Sequence, residues 1–196
     1  MQFLLSLDNI VSARTIRLRT QRAHMMFVRR TIMRLLPVFL LLFCFAASAE
    51  ESHVLLPVDY KKDFVEYLSL DRIQNPDQFI RLFANEVAMR GKNQKGELPN
   101  GSVLVAEVYS VKKNEDGTVK NTMLNRRIKD NLLLIAVMEK REAFGVNSNS
   151  KINTGNWDFG AYKPNGKIAP KNLDACRGCH APLTGSDFLF SGEHLP

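Results

Sequence analysis

Residues 101–113, "GSVLVAEVYSVKK", run directly into residues 114–117, "NEDG", and this junction decides how the chain folds. Val103, Val105, Val108, Tyr109 and Val111 are side chains that suit a pleated, half-buried surface. Asp116-Gly117 is a hairpin-turn dipeptide. A strand entering such a turn needs an antiparallel partner, and residues 118–128, "TVKNTMLNRRI", are read as the return strand. Residues 131–140, "NLLLIAVMEK", form a nearly continuous apolar run; Ile135, Val137 and its short length favour strand over buried helix. Residues 156–164, "NWDFGAYKP", make a further aromatic strand stopped by Pro164.

Working outward, residues 78–93, "QFIRLFANEVAMRGKN", start strand-like and turn helix-like after Asn85. Residues 56–72 are mixed and suggest a short helix around Asp63 to Leu68. Residues 171–180, "KNLDACRGCH", begin a helix or tight turn. The class expected is α+β and β-rich: an antiparallel sheet with a few short helices, the last of them a C-terminal helix or turn over residues 171–180.

The head of the chain reads differently. Arg29, Arg30 and Arg34 precede the apolar run "LLPVFLLLFCFAA", and Ala47-Ser48-Ala49 follows. Basic flank, apolar core and small-x-small site describe a secretory signal peptide cleaved after Ala49. The run is shorter than the ~20 residues a membrane-crossing helix needs. A lipid-anchor reading of Cys44 is weaker, because bulky Phe43 precedes it. Met25, Met26 or Met33 would open a more ordinary leader than Met1. The expected organisation is a leader over 1–49 and one domain over 50–196, exported to the periplasm and free of the membrane after cleavage.

Seven arginines and one aspartate of the leader supply +6 of the formal net charge of +7. The remaining 147 residues carry 20 basic and 19 acidic side chains. The high isoelectric point is thus a leader property, and no nucleic-acid partner is expected.

Cleavage also leaves Cys176 and Cys179 as the only cysteines, in "DACRGCHAPLT", residues 174–184. Two thiols two residues apart, followed at once by His180, form the C-x-x-C-H pattern of covalent haem attachment. The thiols would bond the two vinyl groups, and His180 would ligate the iron, giving one covalent haem c. A C-x-x-C disulfide in an oxidising compartment is an alternative, as is another metal site. Zinc would need a fourth ligand from His53, His194 or carboxylates.

No methionine follows His180 to close the sixth iron position. His194 lies in a terminal tail read as frayed, and His53 as solvated. Met89, Met123 and Met138 lie upstream at apolar positions and read as core filler. An iron site open on its distal side is therefore expected. Phe83, Trp157 and Phe159 are candidates to line it, with ordinary core packing as the alternative for each. Asn156 and Asp158 are read as turn caps, and Lys140, Arg141 and Glu142 as a solvated strand end.

"LPNGSVLVAEVYS", "LIAVMEKREAF", "GNWDFGAYKPNGK" and "KNLDACRGCHAPLTGSDFLF" occur in this order, and over Phe79 to Phe190 the chain resembles the cytochrome P-460 and cytochrome c′-beta family. The resemblance implies a β-rich α+β domain, often a homodimer, with five-coordinate haem and His180 proximal. It also implies a choice between two activities. Hydroxylamine-oxidising members carry a haem-linked lysine in the strand matching "GSVLVAEVY"; that position here is Ala106. They also carry a distal carboxylate; that position matches Ile135 here, within a residue or two. Glu107 points to the other face from Ala106, and Lys112 and Glu139 lie too far along their strands to substitute. Both departures point to the gas-binding type, with nitric oxide or carbon monoxide as ligand and no catalytic residues. Electron transfer to a redox partner protein through a methionine-ligated haem is the alternative, and hydroxylamine or peroxide oxidoreduction a third.

Mass spectrometry of the exported protein is expected to find a chain starting at Glu50 plus one haem. Combining Cys176→Ala with Cys179→Ala should abolish the covalent link; haem that survives acid-acetone extraction of this double variant would refute the attachment reading.

Overall fold

The computed structural model describes residues 54–142, 144 and 150–196. The leader, Cys44 and His53 fall outside the described residues, so the readings placed on them stand as sequence expectations. No described helix is long and apolar enough to cross a membrane.

A helical turn, α1 (Tyr60–Asp63), precedes strands β1 (Val65–Asp71) and β2 (Gln78–Ala84). Another turn, α2 (Glu86–Met89), leads to β3 (Val103–Val111), β4 (Lys129–Lys140) and β5 (Trp157–Tyr162). Helix α3 (Asp174–His180) and two 3₁₀ turns complete the chain. The strands pair in chain order, β1-β2-β3-β4-β5, and every neighbouring pair is antiparallel. The expected β-rich α+β class is observed.

Two expectations about local structure need correction. The helix expected over Asp63 to Leu68 is one turn earlier; Phe64 is already extended and Val65 starts β1. Pairing of the β-branched and aromatic side chains of this stretch with β2 outweighs its mixed local pattern. Residues 118–128 are not the return strand either. They make two isolated bridges, Lys113 with Val119 and Asn121 with Arg127, around two tight turns. Gly117 closes the first turn on Asn114, and Asn125, with φ of 56°, closes the second on Thr122. The true partner of β3 begins at Lys129, beyond this doubled-back arm.

Side chains alternate across a strand, so register assigns each residue to a face. Phe83, Val105 and Val137 pair in one row across β2, β3 and β4; Glu107 and Ile135 pair in the next row of the same face. With Val54, Tyr60 and Tyr162 these apolar residues form a closed core, each at most 5 % exposed. Burying such a side chain contributes roughly 1.5–3 kcal/mol. The opposite face carries Ala84, Leu104 and Met138 in one row and Leu82, Ala106 and Ala136 in the next.

The closed face contains a charge. Glu107 has no solvent exposure and accepts from Tyr60 Oη at 2.7 Å, Tyr109 Oη at 2.6 Å and Lys61 Nζ at 2.8 Å. Arg81 stands 3.4 Å from its other side. Burial alone would raise the carboxyl pKa, but the bonds from Lys61, Tyr109 and Tyr60 prevail and hold it below its ordinary 4.5. Burial first, then Glu107, pushes the Tyr109 hydroxyl up to about 12, so it remains a donor.

Glu107→Ala leaves two buried hydroxyls without their acceptor and should cost about 3–5 kcal/mol in urea unfolding. Because the folded pKa is depressed, this stabilisation is complete above the ordinary value of 4.5 and is lost as pH falls through the folded value. The gap between wild type and Glu107→Gln should therefore narrow below pH 4.5; a gap that widens on acidification would contradict the network.

Candidate functional site

Helix α3 contains the whole Cys176, Cys179 and His180 group. Residues three and four apart lie on one helical face, so Cys176 shares its face with both Cys179 and His180. Seven residues are too few to hold a helix alone, and the anchors are visible. Leu173 is 2 % exposed in a cluster with Phe159, Ala161 and Ala169, and Cys176 packs on that cluster. Asn172 accepts from the backbone N–H of Asp174 at 2.9 Å. Arg177, between the two cysteines, is buried and donates to Asp158 on β5 at 2.8 Å and to Asp174 at 3.0 Å. Removing one partner from such a buried pair costs roughly 3–5 kcal/mol.

Both thiols are unpaired. Burial pushes the Cys176 pKa up, so it is held as thiol. The ring of His180 stands 5.1 Å from that of Phe159 and 5.0 Å from that of Phe190. Its Nδ1 lies 2.7 Å from the carbonyl oxygen of Phe188. A carbonyl only accepts, so the proton sits on Nδ1 and the Nε2 lone pair is free to ligate. Burial lowers the His180 pKa and outweighs the opposing effect of the Phe188 bond, which keeps the ring neutral near pH 7.

Phe159 fixes the sheet face that α3 meets. In register with it lie Ala84, Leu104 and Met138; in the next row Leu82, Ala106, Ala136 and Ala161 pair across β2 to β5. Three alanines side by side leave space that larger side chains would fill. Ile80, Leu82, Ala106, Leu134, Ala136 and Met138 are half-buried, in contrast to the sealed residues of the other face. The β4 side chains on this face near Ala106 are Leu134, Ala136 and Met138, none of them titratable.

The sequence-predicted lining residues divide between the two faces. Ala106 and Trp157 lie on the face that meets α3. Ile135 and Phe83 do not: Ile135 pairs with Glu107 and Phe83 with Val105, inside the sealed core. The β4 residue that pairs with Ala106 on the face meeting α3 is Ala136, one residue on, because a shift of one reverses the face. Met123 is fully exposed in the arm, whereas Met138 pairs with Phe159 across β4 and β5, and both Met89 and Met138 pack on the cluster that contains Leu104. Lys140 is no solvated strand end: it is 7 % exposed and bonds Asp187 at 2.7 Å. Asp158 is no turn cap, since it holds Arg177. The tail of His194 is tied down, with Lys92 Nζ donating to the Leu195 carbonyl at 2.7 Å. Arg177, Asp158, Asp187 and the Phe188 carbonyl went unrecognised in the sequence. Only Arg177, inside the motif itself, offered a signal.

Two thiols and a neutral imidazole on one helix, beside a half-open apolar sheet face, suit a flat apolar group with a metal centre. Among the described residues, no cluster of three or more His, Cys, Asp or Glu side chains is arranged to hold a bare metal ion. The indole N–H of Trp157, 2 % exposed on the same face, has no acceptor among the described residues. Leaving it unpaired costs roughly 1–3 kcal/mol, which a polar group at the edge of a cofactor would relieve. The class defined is a β-sheet haem protein. Comparison with protein families agrees: the Cytochrome P460 model matches residues 57–191, and the chain belongs to that family. Family membership implies haem binding. A search of curated proteins finds no match.

The two faces can be told apart by substitution. Ile135→Ala should cost about 2–5 kcal/mol of stability while leaving the haem spectrum unchanged. Ala136→Glu, one residue on, should alter the spectrum. Spectral change in the first and none in the second would reverse the assignment of faces.

Proposed function

We propose that this is an exported, periplasmic protein carrying one covalent haem c, whose iron binds nitric oxide or a similar small gas such as carbon monoxide. Cys176 and Cys179 would hold the group through thioether bonds, and His180 would ligate the iron through Nε2. When bound, the group supplies an iron with one position left for a small ligand. The observation that carries the reading is the composition of the opposing sheet face: Leu82, Ala106, Leu134 and Ala136 offer no proton, no hydrogen bond and no ligand.

Each consequence follows from those side chains. An apolar wall favours nitric oxide and carbon monoxide over oxygen, whose bound form is polar and needs a donor. It also lacks the acid–base group that peroxide cleavage and hydroxylamine oxidation require. By the family resemblance, Ala106 takes the place of the linking lysine of hydroxylamine-oxidising relatives, and Lys140 is committed to Asp187. The wall keeps water out and slows entry, since Leu side chains must move aside.

One observation favours a second reading. Met138 is on the same face and packs against Phe159, which touches the His180 ring. Its thioether is the best-placed candidate for a sixth ligand, and would make the protein an electron-transfer cytochrome with a redox partner. A homodimer remains part of the proposal by family analogy.

Reduced protein should show a five-coordinate, high-spin spectrum near pH 7, bind nitric oxide and carbon monoxide directly, and not turn over hydroxylamine. A low-spin spectrum with a methionine–iron charge-transfer band that disappears in Met138→Ala would replace this reading with electron transfer.

A further inference from the structure

The segment after α3 contains two adjacent non-glycine residues in the left-handed region, Asp187 at φ 53° and Phe188 at φ 61°. Each such residue is strained, and an aromatic one is uncommon there. Strain of this kind persists only where the surroundings enforce it. Here they do. The Asp187 carboxylate, 5 % exposed, accepts from Lys140 Nζ at 2.7 and 2.8 Å. It also accepts from the backbone N–H of Leu98 at 2.8 Å. The N–H of Phe188 donates to the Leu183 carbonyl at 2.8 Å. Its ring lies so close to Gly155 that a Cβ there would stand 2.6 Å from Phe188 Cε2.

The outcome of this forced geometry is a single carbonyl turned back onto His180. Phe188 O lies 2.7 Å from Nδ1. An acceptor on Nδ1 fixes the tautomer and ring orientation, and makes Nε2 a stronger donor to a metal. Lys140 is the last residue of β4, so the chain of contacts runs from the sheet through Asp187 and Phe188 to the imidazole.

We propose that the Lys140–Asp187 pair is a positioning device for His180: it holds the strained Asp187–Phe188 backbone so that the Phe188 carbonyl sets the strength and direction of the His180 donor. This inference rests on His180 being the iron ligand. Its effect on a bound haem is electronic: a firmer acceptor on Nδ1 favours the oxidised iron and lowers the reduction potential.

Asp187→Asn is the informative variant, because asparagine can still accept from Leu98 and tolerates the left-handed region. Lys140→Met removes the other partner, and Lys140→Arg preserves the charge. In haem-loaded protein, the iron–histidine stretching band of the ferrous state should fall in frequency and the potential should rise for Asp187→Asn and Lys140→Met. Lys140→Arg should restore both. A second readout needs no haem: ¹⁵N NMR of the unloaded chain should find the Nδ1–H tautomer of His180 in wild type and a mixture in Asp187→Asn. A band, potential and tautomer unchanged in Asp187→Asn would overturn the positioning role while leaving the ligand reading intact. Equal shifts in Glu107→Gln, a buried-charge change on the far face, would overturn it too by assigning the effect to general loosening. A wild-type protein lacking any iron–histidine band would remove the ligand reading and this inference with it.

Discussion

The register between β3 and β4 is the constraint on which the rest of the molecule depends. Ala106 pairs with Ala136, and Glu107 with Ile135. A slip of one residue would exchange the faces, turning the alanine row into the core and a buried carboxylate toward α3. Hydrophobicity alone separates the two registers weakly, because Val103 to Tyr109 and Leu132 to Met138 are apolar on both faces apart from Glu107. The carboxylate separates them sharply. In the observed register it meets two tyrosine hydroxyls, Lys61 and Arg81. In the slipped one it would be buried beside alanines with no donor, at a cost of several kcal/mol. A residue far from the motif, on the opposite face, thus keeps the open face in place.

The side that holds His180 obeys the same logic on a smaller scale. Two buried ion pairs tie it to the sheet: Arg177 to Asp158 on β5, and Lys140 on β4 to Asp187. Desolvation offsets much of the attraction in such pairs, so their net stabilisation is small. Their directional demand is large. One pair fixes the helix that carries the imidazole, and the other fixes the loop that carries its carbonyl partner. Packing alone would allow a seven-residue helix to slide or rotate against a surface of alanines. Each pair removes one of those freedoms, and together they define the imidazole by its two ends.

The fold was legible where one feature dominated locally. Val103 to Val111 and Leu132 to Lys140 read as strands because β-branched and apolar residues left little choice, and the turn at Asp116-Gly117 was audible in two letters. Residues 118–128 misled because the second turn depends on Asn125 taking a left-handed conformation, which composition does not announce. The attachment motif was legible as a string. Its surroundings were not, since Arg177, Asp158, Lys140 and Asp187 look like ordinary surface charges until the fold buries them. Ile135 was placed on the wrong face for a related reason: a match uncertain by one residue is harmless for a strand assignment but decisive for a face.

The position of the motif after the five strands follows from the same dependence. The sheet is a meander, so every strand pairs with its neighbour in sequence. Helix α3 has no such independence. Its seven residues form a stable helix only against β5, through Leu173 and the Arg177–Asp158 pair. The carbonyl that orients His180 depends on Lys140, seated at the end of β4. A motif placed first would precede every surface it needs. Placed after the strands, it meets a sheet whose faces Glu107 distinguishes, and the imidazole takes its orientation where Asp187 meets Lys140.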